Sequence, residues 1–168
     1  MRILRRHPES FDDRSAGLHG KSSVIALQAG IFDASGAGIV FLVARLLFGG
    51  VLAFMGMNHF MNADQMVPYA DAKGIPAASL LVPFSGGQLL FGGLAIVFGI
   101  YPVLGGGAIA VFLPIAAVMM HDFWAVSEEE QQSELTDFLK NVAMTGGALA
   151  FLAAGGVDWP FALGIGAF

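Results

Sequence analysis

The sequence predicts an all-α integral membrane protein, a bundle of four transmembrane helices with an N-terminal arm. Solvent is the first reason. Of the 168 residues, 56% are hydrophobic and 12% are charged, and mean hydropathy is +0.71. A water-soluble domain carries about 25% charge, so this chain lacks the polar material to cover a globule. The placing of the charges is the second reason: no Asp, Glu, Lys or Arg lies between Gly74 and Met120. One helix needs roughly 20 apolar residues to cross the hydrocarbon core, so that stretch has room for two crossings. The length suits a single domain.

Residues 1–35 read as the arm, cytoplasmic or lying in the membrane interface. Its Arg-rich start invites a signal-peptide reading, but the apolar patch is weak and Asp12, Asp13 and Asp33 flank it. Residues 36–156 then hold four spans, at about 38–57, 78–100, 103–120 and 135–155. Tyr101–Pro102 makes the reversal between the middle pair, because proline cannot continue a helical ladder. The 58–77 connection carries Asp64, Asp71 and Lys73, then Gly74-Ile75-Pro76, a helix stop and restart. The 122–134 connection carries Glu128, Glu129, Glu130 and Glu134 and reads as a solvated turn. Residues 157–168 form an apolar tail, expected in the interface with Trp159–Pro160 as its anchor.

Charge orients the chain and excludes partners. Five of the eight basic residues fall in the first 21 positions: Arg2, Arg5, Arg6, Arg14 and Lys21. Lys and Arg stay on the cytoplasmic side, so both termini of this multi-pass cell-membrane protein are expected in the cytoplasm. The net charge is −5 and no extended basic face exists, which argues against nucleic acid as a partner. Membrane lipid is the expected surrounding, with other membrane subunits or further copies of the chain as protein partners. The chain has no cysteine, so thiol chemistry and thiolate-held iron–sulfur clusters are excluded on its own residues.

Polar side chains inside spans face the bundle or water. In the first span Arg45, Gly49, Leu52, Gly56 and His59 are spaced four, three, four and three, within an arc of roughly 80°. Glycines on such a face allow close helix approach. Arg45 is therefore expected on the packed face, or else snorkelling to the inner headgroups. In the second span Gln88 sits near mid-membrane, as helix glue or as a ligand contact. The third span closes on His121, Asp122, Phe123 and Trp124, with Gly107, Pro114 and Val118 on the His121 face. The fourth opens with Asp137, Lys140, Asn141 and Thr145.

The topology then gathers Asn58, His59, His121, Asp122, Lys140 and Asn141 at one depth near the outer face, beneath Trp124. His59, His121 and Lys140 are the candidates for proton handling and carbonyl polarisation. Such a pocket suits a polar head such as a quinone ring. Two histidines also have the chemistry of haem or metal ligands, but no zinc-ligand spacing, nucleophile motif or phosphate loop is present, and no metal is expected.

The chain resembles the DoxX family of small four-span membrane proteins. The resemblance rests on Arg45 with Leu46-Leu47-Phe48-Gly49, then Gly56-Met57-Asn58-His59-Phe60, and Tyr69 with Lys73-Gly74-Ile75-Pro76. It continues in Gly86-Gly87 with Leu89-Leu90-Phe91-Gly92, His121 with Phe123-Trp124, and Phe138-Leu139-Lys140-Asn141-Val142-Ala143 with Gly146-Gly147. It spans roughly residues 40–155. The resemblance implies a fold, and for some members a likeness to the large subunit of a thiosulfate–quinone oxidoreductase. The family often has an acidic residue near the start of the second span, where this chain has Leu81-Val82-Pro83-Phe84-Ser85. The expectation is a subunit or partner of a quinone-linked membrane redox system. The rival is a non-enzymatic scaffold that binds proteins or lipids; a transporter is disfavoured because no pair of broken helices is evident.

Overall fold

The computed structural model describes residue 30 and residues 32–166, so most of the expected N-terminal arm, 1–35, lies outside the described residues. Five helices follow: α1 Ala37–Met61, α2 Ala63–Ala72, α3 Ala78–Phe98, α4 Pro102–Met120 and α5 Glu128–Ala154. Among the described residues there is no strand, and one isolated bridge joins Ile100 to Ile165. Three helices, α1, α3 and α4, are long and apolar enough to cross a membrane. With 27 residues α5 is the longest helix, but Glu128, Glu129, Glu130, Glu134, Asp137 and Lys140 all fall in its first half. Only its second half suits hydrocarbon. Large apolar side chains cover the outside of the bundle, among them Val40, Leu47, Phe54, Phe84, Phe91 and Val111. A patch that size would drive association in water; in a bilayer it is the solvated surface. The protein is a helical integral membrane protein.

Glycine sets how closely the helices approach. On α1, Gly49 faces Gly93 of α3, and Gly56 faces Gly86. A Cβ added at Gly49 would sit 2.5 Å from the Gly93 carbonyl oxygen, and one at Gly56 would sit 2.6 Å from that of Gly86. The two glycines of each helix are one heptad apart, so they stay on one seam, and the helices run antiparallel. Next in the ring, α3 meets α4 at Gly92 and Gly105, where an added Cβ on Gly105 would come within 3.0 Å of the Gly92 carbonyl. At Gly106, α4 meets the backbone of Leu152 on α5. The ring closes where Phe48 of α1 covers Gly147 and stacks on Phe151 of α5, with ring centroids 5.2 Å apart. Inside it lie Leu52, Leu89, Ile96, Ile109, Leu113 and Ala148, each at most 2% exposed.

Three expectations change. The 58–77 connection is largely helical: α1 runs on to Met61 and α2 follows. Met66, Val67 and Ala70 of α2 pack with Ile75, Ala78, Val82 and Met120. That is a helical period, but a sparse one, interrupted by Pro68 and set among Asp64 and Asp71. The Glu128–Glu130 run is the first turn of α5 and not a loop. Ser127 accepts the Glu130 and Gln131 amides and its hydroxyl donates to the Glu130 carboxylate at 2.9 Å. Ser-x-x-Glu is the spacing of a capping box, and acids at a helix N-terminus are favoured by the helix dipole. Lastly, the packed face of α4 is Gly105, Gly106, Ile109, Leu113 and Ala117, while Val118 is exposed.

Candidate functional site

Polar groups gather at both ends of the bundle. At one end Arg45 is 0% exposed. Its Nε donates to the Ile96 carbonyl at 2.9 Å, one terminal nitrogen to Val97 at 2.6 Å, and the other to Pro160 at 2.8 Å. Ile96 and Val97 lie in the last turn of α3, whose carbonyls lack intrahelical partners. The turn is fully accounted for: the Gly99 and Ile100 amides donate to Ala95, Arg45 to Ile96 and Val97, and the Leu163 amide to Phe98. A planar guanidinium suits this work, and the negative end of the helix dipole compensates its charge. Trp159 stacks on it, 5.3 Å from ring centre to the guanidinium carbon. Trp159 is 8% exposed, donates Nε1–H to Ala154 and meets Phe41 edge-on. Arg45 therefore does not snorkel, and Trp159 is a wall of its chamber, not an interfacial anchor.

At the other end a lysine stands among carboxylates. Lys73 caps α2 with its backbone, and its Nζ lies 2.5 Å from Asp122, just past α4, and 3.7 Å from Glu134 on α5. Glu134 also holds His121 Nδ1, at 3.0 Å. The network ties α2, α4 and α5. The side chains of Lys73, Asp122 and Glu134 are 16%, 30% and 18% exposed, so water reaches each of them. The hydrogen bond to Asp122 raises the Lys73 pKa above its ordinary value, and the same bond lowers that of Asp122.

The expected cluster is thus divided. His121 and Asp122 belong to this network. Lys140 is 65% exposed at its side chain and pairs with Asp137 of its own helix at 2.8 Å. Asn141 donates to the Asp137 carbonyl, and Asn58 accepts from Asn62. His59 bonds the Met55 carbonyl. Among the described residues no hydrogen bond or ion pair joins His59 or Lys140 to His121. Trp124 is exposed and meets Phe123 and Phe138 edge-on. The cation of the network is Lys73, and its second carboxylate is Glu134. Lys73 was findable, because it is the lone Lys or Arg between Arg45 and Lys140 while acids flank the spans on that side.

Gln88 spends its amide donor on the Ala108 carbonyl at 2.6 Å, stapling α3 to α4. Beside that staple runs a groove of about 1400 Å³, from Leu81 and Met119 to Phe98 and Tyr101. Its walls are almost wholly apolar. At its α2 end stand Met66, Tyr69 and Ala70, with His59 beside them. The α1 helix ends early here: His59 lies against Gly86, roughly 12 Å along α3 from Ala78 at 1.5 Å per residue. The step is filled by α2, which roofs the groove. Tyr69 carries the network onward, its ring 5.9 Å from Lys73 Nζ. Among the described residues no group of three or more His, Asp or Glu is arranged to hold a metal ion.

No curated protein and no solved structure matches the chain. The DoxX family model matches residues 40–122, from the start of α1 to the end of α4. It stops short of α5 and of the Phe138–Asn141 element. From α1 to α4, a glycine-seamed bundle of apolar helices, the chain is similar to the DoxX family.

Proposed function

We propose that the protein is a membrane subunit or partner of a quinone-linked redox system and holds the quinone in the groove between α3 and α4. One observation carries this reading: an apolar groove of about 1400 Å³, open to lipid, has His59 and Tyr69 at one end. An isoprenoid quinone has matching chemistry, a polar ring on a long apolar tail. The ring sits under α2 and the tail lies along α3 and α4. On this reading a partner subunit supplies the electron path. The positive-inside rule sets the His59 and Lys73 end outside the cell and both termini in the cytoplasm.

Quinone carried through purification tests this. The protein is extracted in mild detergent and the quinone-to-protein ratio compared with that of bulk lipid. We expect marked enrichment in the wild type and its loss in Gly87→Leu. Gly87 lines the groove, and an added Cβ there meets Phe60 at 3.9 Å and nothing closer, so the helices need not move. Phospholipid alone in the wild-type groove would overturn the reading and favour a scaffold.

A further inference from the structure

Resting on that reading, we infer that the site selects the reduced ligand, a quinol, because His59, which lines the groove, keeps a bare nitrogen. The argument starts from a hydrogen bond. His59 Nδ1 lies 2.8 Å from the Met55 carbonyl oxygen one turn earlier. A carbonyl oxygen only accepts, so Nδ1 carries the hydrogen and donates it. In the neutral imidazole the other nitrogen, Nε2, then has a lone pair and no hydrogen. The Met55 bond thereby sets the tautomer, as an outer partner does for a metal-bound histidine. Among the described residues Nε2 has no partner of its own.

The α3 backbone packs closely against the root of this side chain. Gly86 of α3 passes so close that a Cβ there would lie 2.7 Å from His59 Cβ. His59 lines the groove, whose remaining side chains are apolar apart from Tyr69, Ser85, the committed amide of Gln88 and, at the far end, Tyr101. Ser85 donates its hydroxyl to the Val82 carbonyl. An acceptor in such surroundings favours a ligand that donates. A quinol has a ring O–H to give; a quinone has carbonyl oxygens and leaves Nε2 facing a second acceptor. A site built to meet a hydroxyl rejects the analogue lacking it, since a polar group left unpaired away from water is costly.

The test uses nanodiscs of phosphatidylcholine carrying the full chain, titrated with decylubiquinol or decylubiquinone against empty nanodiscs. We expect the quinol to bind about tenfold tighter. His59→Phe keeps an aromatic ring and removes the acceptor; it should weaken quinol binding and so erase the preference. Should that variant misfold, the ¹⁵N shift of His59 in the ligand-free wild type reports the tautomer directly. A hydrogen on Nε2 of the neutral ring overturns the inference. Equal affinity for the two forms in the wild type also overturns it, while the quinone reading stands. Binding of neither form above empty nanodiscs removes both.

Discussion

At one end of the bundle a single arginine, fully buried, donates to three carbonyls and, among the described residues, meets no carboxylate. At the other, a lysine is shared by two carboxylates and keeps some contact with water. Both close the bundle, and the difference follows from depth. Arg45 lies within a membrane-spanning helix, where an isolated charge is expensive; helix-end carbonyls and an aromatic wall replace its hydration. The Lys73 end lies at the margin of the spans, where ion pairs exchange with solvent and contribute little each. It is also where α1 stops early and polar side chains reach the groove. On the proposed reading, the Arg45 end serves closure alone and the ligand's polar head goes to the Lys73 end.

Breaking the Arg45 end should have the largest effect. Arg45→Met leaves the Ile96, Val97 and Pro160 carbonyls without their donor. We expect a loss on the order of 3 kcal/mol or more in unfolding titrations in mixed micelles, given about 1–3 kcal/mol per unsatisfied buried group. Arg45→Lys should recover only part, since an ammonium cannot reproduce a planar fork. A smaller loss comes from the seam both ends share. Gly56→Ala forces a Cβ against the Gly86 carbonyl and should cost about 1–3 kcal/mol as overpacking does. At the opposite end Lys73→Met should cost only about 1 kcal/mol in the same titration.

Acid sharpens the contrast further. The Asp122 pKa is lowered by Lys73, so its contribution is complete above the ordinary carboxylate value of about 3.9. It is lost as pH falls through the lowered folded value. Lys73 is raised, so its share holds up to its ordinary value of about 10.4 and fades only as pH rises through the raised one. The stability gap between wild type and Asp122→Asn should therefore be flat around neutrality and close below about pH 4. A gap that stays open in strong acid would show that Asp122 acts through something other than its charge.

The sequence made some of this legible, and physics separates what it did not. The four–three spacing from Arg45 to His59 named the packed face of α1, because a helical period is local. The acceptors of Arg45 were hidden, since Ile96, Val97 and Pro160 lie far along the chain and all three contribute backbone, which carries no residue signature. The outer cluster was assembled from helix depth alone. Depth brought His121 and Asp122 to the right end but could not tell a side chain facing the bundle from one facing out. Lys140 pairs with Asp137, three residues away, and Lys73 is the cation that pairs with Asp122. The start of α5 was readable in Ser127 and Glu130, whose capping spacing outweighs the polarity that suggested a loop. The short α2 was the hardest, since its apolar residues cover only one narrow stripe.

The division of labour between the ends is tested most directly by photolabelling with an azido-substituted quinone ring in nanodiscs, followed by peptide mapping. The account predicts that the label enters the end of α1 and α2, around His59 and Tyr69. Label on Phe98–Tyr101 or the tail beside Arg45, or spread evenly over the lipid-facing surface, would contradict it.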